Sequence, residues 1–126
     1  MPIIIDYGVG NLFSLTSSFK FIGQDVTVTY DKKKIAAADK LILPGVGAFS
    51  DAAKALHETV MYDVIIEEAR KGKPLLGICL GMQMLLTKSY EYGEHAGLNL
   101  IPGNVKPIAP VIEKGLKVPH IGWNAL

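Results

Sequence analysis

The chain has little cysteine and no long hydrophobic run. Its single cysteine, Cys79, cannot form an internal disulfide, so nothing in the composition demands an oxidising compartment. No apolar segment approaches the roughly 20 residues needed to cross a bilayer, and the N-terminus lacks the basic flank and apolar core of a signal peptide. These absences predict a soluble, cytoplasmic protein.

Charge of one sign is also lacking. Thirteen Lys and Arg residues stand against 12 Asp and Glu residues, which gives a formal net charge of +1. Such a balance creates no field that would attract nucleic acid or an anionic membrane, so we expect neither as a partner. With 49% hydrophobic residues, the 126-residue chain can form one globular domain, residues 1–126, with its own core.

Short apolar segments alternate with helical patterns along the first 89 residues. Strands are predicted at residues 2–6, 26–30, 40–43 and 74–78. Helical periodicity is present at residues 12–22, at residues 50–71 with a break near Thr59, and at residues 80–89. This alternation indicates an α/β protein with a mostly parallel sheet and its chemistry at the carboxyl ends of the strands.

The remaining segments give weaker signals. Residues 32–34 are three lysines and are interpreted as a solvated charge run. Beyond Ser89 the prolines become frequent, which favours loops with short strands near residues 103–108 and 116–118.

The segment GICLGMQ at residues 77–83 places the only thiol between two glycines. It follows a predicted strand and opens a predicted helix, which is the spacing of a nucleophile elbow with Cys79 in the nucleophile position. Gly77 and Gly81 would be required because the strand and helix backbones approach closely there. The start of the helix would stabilise a thiolate, and the Leu80 N–H would face an oxyanion formed at Cys79. A lone cysteine is otherwise most often a buried core residue.

Two further glycine-rich turns lie at the same predicted edge of the sheet. The segment PGVG at residues 44–47 is either an ordinary turn or a source of a second oxyanion donor, if a peptide N–H rotates toward the substrate carbonyl. The segment YGVGN at residues 7–11 could cradle a phosphate, but it lacks the full dinucleotide fingerprint. Neither turn suggests a cofactor, and no metal-ligand spacing is present.

A cysteine nucleophile normally needs a base, and the chain has three histidines. His57 lies in a helical pattern, His95 in the predicted loop EYGEHAG and His120 in PHIGWN. None has a neighbouring carboxylate signature that would mark it as the base.

Four motifs in order give the chain a resemblance to a known family. IIDYGVGNLFS at residues 4–14, LPGVGAF at 43–49, GICLGMQ at 77–83 and PHIGWN at 119–124 are similar to the glutaminase subunit of imidazole glycerol phosphate synthase, a class I, triad-type glutamine amidotransferase. The resemblance implies a three-layer, flavodoxin-like fold with helices on both faces and a nucleophile elbow after a central strand.

The resemblance also implies an activity and a partner. Cys79 would attack the side-chain amide of glutamine, form a glutamyl thioester and release ammonia, with Leu80, Val46 and Gly47 as oxyanion donors. Gly45 and Gln83 would contact the substrate. The ammonia would pass to a (β/α)₈-barrel cyclase in a heterodimer of histidine biosynthesis, and Asn11 and Trp123 would lie near the docking face. For Trp123, a place in the core is an equally reasonable interpretation.

The chain departs from the family pattern at its C-terminal end. The family domain is longer, and its catalytic His and Glu follow the PHIGWN region, whereas this sequence ends at Leu126. We therefore expect a C-terminally truncated domain with little glutaminase activity alone and with exposed apolar surface on its sheet.

Two other hypotheses remain open at this point. Cys79 could serve a cysteine-elbow hydrolase or protective protein of related fold, although Gln83 and the PGVG segment argue against that. Alternatively, the chain could be a cyclase-binding fragment without catalysis.

Overall fold

Four short strands rich in isoleucine, leucine and threonine build a parallel sheet. In the computed structural model, which describes residues 1–125, they are β1 (Pro2–Ile5), β2 (Thr27–Thr29), β3 (Lys40–Leu43) and β4 (Leu75–Gly77). Their order in the sheet is β2-β1-β3-β4, and every pair is parallel. The predicted strands at residues 2–6, 26–30, 40–43 and 74–78 are thus confirmed, three of them slightly shorter than expected.

Five helices connect and follow these strands. They are α1 (Leu12–Phe21), α2 (Lys32–Ala37), α3 (Phe49–Glu58), α4 (Met61–Arg70) and α5 (Leu80–Met84). The expected break near Thr59 is confirmed, since Thr59 and Val60 separate α3 from α4. Strands alternating with helices confirm the predicted α/β class.

The pleat of the sheet sends alternate side chains to opposite faces. Ile3, Ile5, Leu41 and Leu43 belong to one buried cluster, to which α2, α3, α4 and α5 also contribute side chains. The step from β1 to β2 runs toward one edge of the sheet, whereas the steps from β2 to β3 and from β3 to β4 run toward the other edge. Because each crossover is right-handed, α1 lies on the face opposite to that of α2, α3 and α4. Helices therefore lie on both faces, as predicted, but α1 is the only helix on its side among residues 1–125.

Helix α2 corrects the interpretation of residues 32–34 as a charge run. The Asp31 side chain caps the helix, since its carboxylate accepts from the Lys33 N–H at 2.8 Å and from the Lys34 N–H at 3.5 Å. Ile35 is fully buried one turn later. The lysines are exposed as expected, but an N-cap and one apolar residue are sufficient to order them as the first turn of a helix.

The predicted helix over residues 80–89 is wrong in its second half. It ends at Met84, and β5 (Leu86–Ser89) pairs with β6 (His95–Ala96) and β7 (Ile101–Val105) in a second sheet. The Met84 carbonyl accepts from the Leu98 N–H at 2.7 Å, and the Leu85 carbonyl accepts from the Leu100 N–H at 2.9 Å. These long-range bonds replace the bonds that a continued helix would make.

The strands predicted beyond Ser89 differ from those in the structure. The strand expected at residues 103–108 lies at Ile101–Val105 instead, and residues 116–118 form no strand. His95, which was expected in a loop, lies in β6, because this short strand pairs with Ser89 of β5. Beyond β7 there is one short 3₁₀ helix, Ala109–Val111.

Strand β4 lies at an edge of the four-stranded sheet, whereas a central strand was expected before the elbow. Among residues 1–125, no strand pairs with its outer side. Leu76 is 54% exposed on the same face as the buried Ile4 and Ile42, and a cavity of about 340 Å³ opens there between Phe19 and Leu76. The predicted exposed apolar surface is therefore present on this face of the sheet.

A buried ion pair ties the end of α4 to the end of α2. The Glu68 carboxylate is nearly inaccessible and accepts from Lys73 at 2.6 Å and from Lys71 at 2.8 Å. The Lys73 ammonium also donates to the carbonyl oxygens of Ile35 and Ala36, at 2.8 and 2.7 Å. Hydrogen bonds from Lys71 and Lys73 lower the pKa of Glu68 below 4.5, its ordinary value.

We predict that Lys73→Met lowers the free energy of unfolding by about 1 to 3 kcal/mol, because it leaves a buried carboxylate and two helix-end carbonyls without their donor. Lys71→Met is the matched control, since Lys71 is 54% exposed and should matter less. Above the ordinary pKa of Glu68, its ionised carboxylate contributes its full stabilisation. As the pH falls through the lower pKa that Glu68 has in the folded protein, the carboxylate is protonated and this stabilisation is lost. Urea unfolding at neutral pH and near pH 3.5 measures both effects, and equal losses for the two variants would contradict the prediction.

Candidate active site

Cys79 lies at the turn between β4 and α5, at the carboxyl edge of the sheet. Its backbone has φ 56° and ψ −120°, a conformation that costs a residue with a side chain free energy and that occurs at functional turns. The thiol is exposed rather than buried in the core. This geometry is that of a nucleophile elbow, and the interpretation of Cys79 as a core cysteine is wrong.

Three glycines allow close backbone contacts at the elbow, Gly77 between β4 and α5, and Gly45 and Gly81 between the end of β3 and α5. A Cβ atom at Gly81 would overlap the Leu43 carbonyl oxygen, and one at Gly77 would lie 2.6 Å from the Cα of Met82. A Cβ at Gly45 would lie 2.6 Å from the nitrogen of Gly81. The close approach expected at Gly77 and Gly81 is confirmed, and Gly45 shares the contact at Gly81.

The Leu80 N–H, the predicted oxyanion donor, already has a hydrogen-bond partner within the protein. The Leu80 N–H donates to the Gly45 carbonyl at 3.3 Å. The next N–H groups, of Gly81 and Met82, donate to the carbonyls of Ile78 and Cys79 at 3.0 Å. Because α5 has only five residues and its first N–H groups are bonded internally, the free donors expected at the helix start are not available here.

The PGVG segment forms a loop that turns from the core to the surface. Pro44 and Gly45 are buried, whereas Val46 and Gly47 are exposed, and Gly47 has φ 89°. The Gly45 carbonyl and the Val46 N–H belong to the same peptide plane. Rotation of that plane would withdraw the carbonyl from Leu80 and bring the Val46 N–H toward the elbow.

Gln83 opens onto a cavity of about 430 Å³ beside the elbow. Glu91, Tyr92 and Val118 are among the other residues that line it, and Cys79 is not among them. The Glu91 carboxylate accepts from the Phe49 N–H at 3.1 Å, which fixes it at the start of α3. The cavity therefore combines a carboxamide and a carboxylate.

Sequence reasoning missed Glu91. It lies among other charged and polar residues of the segment SYEYGEH, and the fold brings it beside Gln83 and the start of α3. In the sequence, only its position 12 residues after Cys79 relates Glu91 to the thiol, and that spacing alone does not predict a shared site.

The three histidines are engaged away from the thiol. The His57 ring stacks on Tyr62 with centroids 4.2 Å apart, and His95 Nε2 lies 3.2 Å from the Tyr92 carbonyl. His120 Nε2 lies 3.0 Å from the Asn124 amide nitrogen. Among residues 1–125, no histidine therefore contacts Cys79.

The two predicted interface residues have different local roles. The Asn11 side chain caps α1 by accepting from the Ser14 N–H at 3.1 Å. Trp123 is fully exposed, which excludes a place in the core within the described chain. Nothing in the structure joins the two residues into one surface.

Within residues 1–125, no helix is long and apolar enough to span a membrane.

The YGVGN turn does not form a phosphate cradle. The Gly8 N–H donates to the Asp6 carboxylate at 3.2 Å, so this donor faces a negative charge. The Tyr7 side chain is buried instead against the PGVG loop.

The fold is α/β and the turn at Cys79 has the geometry of a nucleophile elbow, and comparison with known proteins gives the family of the chain. The CobB/CobQ-like glutamine amidotransferase domain matches residues 6–109. The chain therefore belongs to the glutamine amidotransferase family.

Curated relatives and a solved structure agree with this assignment. Imidazole glycerol phosphate synthase subunit HisH of Aquifex aeolicus is 49% identical over 125 residues, which are 98% of this chain and 58% of the relative. The subunit HisH of Carboxydothermus hydrogenoformans is 47% identical over 126 residues, with 100% and 61% covered. The chain thus spans about three fifths of the length of these relatives. A crystal structure of a glutamine amidotransferase, 21% identical, shares the fold with a TM-score of 0.66 over 79% of this chain and 52% of that one.

We predict that Gly81→Ala destabilises the protein by about 3 kcal/mol or more, although alanine is ordinarily favoured over glycine in a helix, because its Cβ would overlap the Leu43 carbonyl. Gly122→Ala is the matched control, since nothing lies within 4 Å of its Cβ position, and it should change stability by less than about 0.5 kcal/mol. Denaturant unfolding of both variants measures the difference. A stable Gly81→Ala protein would show that the close approach is not required.

Proposed function

We propose that the chain is the catalytic core of a glutaminase subunit, which hydrolyses glutamine to glutamate and ammonia through a thioester at Cys79. The observation that carries the proposal is the elbow, which exposes the thiol on a strained turn beside two potential oxyanion donors. Under this proposal, residues 1–126 belong to a single glutamine amidotransferase domain.

The chemistry begins with attack of the Cys79 thiolate on the γ-carbonyl carbon of glutamine. A carbon–sulfur bond forms, and negative charge develops on the carbonyl oxygen. Rotation of the Gly45–Val46 peptide would free the Leu80 N–H and present the Val46 N–H, with Gly47 as the flexible neighbour. Two N–H groups would then stabilise the oxyanion.

The substrate site follows from the charges of the amino acid. Glutamine carries an α-ammonium group, which the Glu91 carboxylate can accept in the cavity. Gln83 lines the same cavity and can hydrogen bond to the polar groups of the substrate, while the Gly45 backbone borders the elbow. The side chain of the bound amino acid would point from this cavity toward Cys79.

Collapse of the tetrahedral intermediate needs a proton for the departing ammonia. The three histidines are engaged away from Cys79, so none of them supplies that proton in the described chain. We therefore expect the 126-residue chain by itself to release little glutamate.

The partner proposal rests on the relatives, which are named as subunits of imidazole glycerol phosphate synthase. We propose that ammonia passes to a (β/α)₈-barrel cyclase in a cytoplasmic heterodimer of histidine biosynthesis. Trp123 is a suitable anchor, because a fully exposed tryptophan gains much from burial in a partner pocket. We propose Asn11 as a second contact with the cyclase, made while its side chain caps α1.

The substrate proposal is tested by covalent labelling of the thiol with 6-diazo-5-oxo-L-norleucine, an electrophilic glutamine analogue. We expect one label, located at Cys79 by mass mapping, and we expect excess L-glutamine to slow it. Glu91→Gln should weaken the protection by glutamine about tenfold, because the ammonium group loses its charged partner. Glu94→Gln is the control, since Glu94 is exposed and pairs with Lys88.

Iodoacetamide is the control reagent, because it alkylates thiols but lacks the amino-acid group of glutamine. It should label Cys79 at the same rate in the native chain and in both variants. Labelling by the analogue that glutamine does not slow would contradict the glutamine site and favour the alternative of a cysteine-elbow hydrolase of related fold.

The partner proposal is tested by calorimetric titration with the cyclase subunit of the synthase. We expect Trp123→Ala to weaken binding at least about tenfold. Phe21→Ala is the matched control, because Phe21 is another aromatic residue with 91% exposure, and it should bind like the native chain. Equal affinities for the native chain and Trp123→Ala would remove Trp123 from the interface.

A further inference from the structure

Tyr7 is a buried polar residue that the proposed chemistry does not use. It lies two residues after the end of β1 and is only 2% exposed. Its hydroxyl donates to the Pro44 carbonyl at 2.6 Å, across 37 positions of sequence. Burial raises the pKa of Tyr7 to about 12, so the hydroxyl remains a proton donor throughout the neutral range.

Pro44 is fixed from a second direction by the same turn. A Cβ atom at Gly10 would lie 2.8 Å from the Cβ of Pro44, so the backbone of the YGVGN turn packs directly on the proline ring. Pro44 itself is fully buried. Its carbonyl has no access to water as an alternative partner, which makes the Tyr7 hydroxyl important for its position.

The residues on both sides of Pro44 contact the elbow. The Leu43 carbonyl accepts from the Ile78 N–H at 3.0 Å, and the Gly45 carbonyl accepts from the Leu80 N–H at 3.3 Å. The position of Pro44 therefore determines where the Gly45 carbonyl meets the elbow.

We propose that Tyr7 is a positioning residue of the oxyanion loop: its hydroxyl anchors the Pro44 carbonyl and thereby sets the Gly45–Val46 peptide against the Leu80 N–H. Its role in catalysis rests on the proposed glutaminase function, whereas the anchoring itself does not. Tyr7 does not touch the substrate site and acts through the loop. With Pro44 fixed, peptide rotation is confined to residues 45–47, which keeps the donors aligned on Cys79.

The test is amide hydrogen exchange of the Leu80 N–H, measured by NMR on the full chain. Tyr7→Phe removes the hydroxyl and keeps the ring in the core. We expect Leu80 to exchange about tenfold faster, the effect of one buried hydrogen bond. The Leu98 N–H, which donates to the Met84 carbonyl at 2.7 Å, should accelerate less than Leu80, because its bond does not involve the PGVG loop, and its rate shows how far the stability of the fold as a whole has fallen.

Tyr62→Phe is the matched control. It removes another hydroxyl from a backbone carbonyl, that of Gly97 at 3.2 Å, and should leave Leu80 unchanged. An unchanged Leu80 rate in Tyr7→Phe would overturn the proposal. So would equal acceleration of Leu80 and Leu98, because it would show a general loss of stability.

The same variant separates this inference from the proposed function. We expect its labelling by 6-diazo-5-oxo-L-norleucine to slow severalfold, because the diazo carbon takes up a proton and the thiolate displaces N2 while the ketone oxygen of the analogue lies at the oxyanion donors. Labelling by iodoacetamide, which loses iodide without recognition at that position, should not change. If glutamine fails to protect the native chain but Leu80 exchange still rises in Tyr7→Phe, the glutaminase proposal fails and the anchoring stands. If glutamine protects but Leu80 does not respond, only the inference about Tyr7 fails.

Discussion

The structure of the site depends on the close approach of two backbones at the carboxyl edge of the sheet. The end of β3 and the start of α5 meet so closely that neither Gly45 nor Gly81 has room for a Cβ atom. That contact turns the chain sharply after β4 and places Cys79 at positive φ with its thiol exposed. It also brings the Gly45 carbonyl within hydrogen-bond distance of the Leu80 N–H. One steric requirement therefore accounts both for the exposed thiol of Cys79 and for the contact between the Leu80 N–H and the Gly45 carbonyl.

Local sequence predicted the elements whose causes are local. Short apolar and β-branched runs predicted the strands, and glycine spacing predicted the elbow at Cys79, because each feature depends on a few neighbouring residues. Residues 85–89 could not be predicted in the same way. The carbonyls of Leu85 and Leu86 accept from the N–H groups of Leu100 and Asn99, and no periodicity within the segment reveals these distant donors. Tertiary hydrogen bonds replaced the helical preference there.

The same distinction applies to the site. Cys79 is recognisable because the elbow follows from the spacing of its flanking glycines. Glu91 is not, since its side chain faces the Gln83 cavity only after the second sheet has formed. Tyr7 is likewise 37 positions from the carbonyl that it anchors. Residues that act through distant partners leave no local signal, and they are the ones that the structure added.

The resting position of the oxyanion loop has a physical reason in its sequence. Turning the Gly45–Val46 peptide by about 180° moves the φ of Val46 toward positive values, which cost a β-branched residue about 1 to 3 kcal/mol. Each donor in an oxyanion hole is worth about 3 to 4 kcal/mol once negative charge has developed. Under the proposed function, the strain exceeds the benefit without substrate and is outweighed when the oxyanion forms. Valine at this position thus favours the carbonyl orientation seen here until Cys79 attacks.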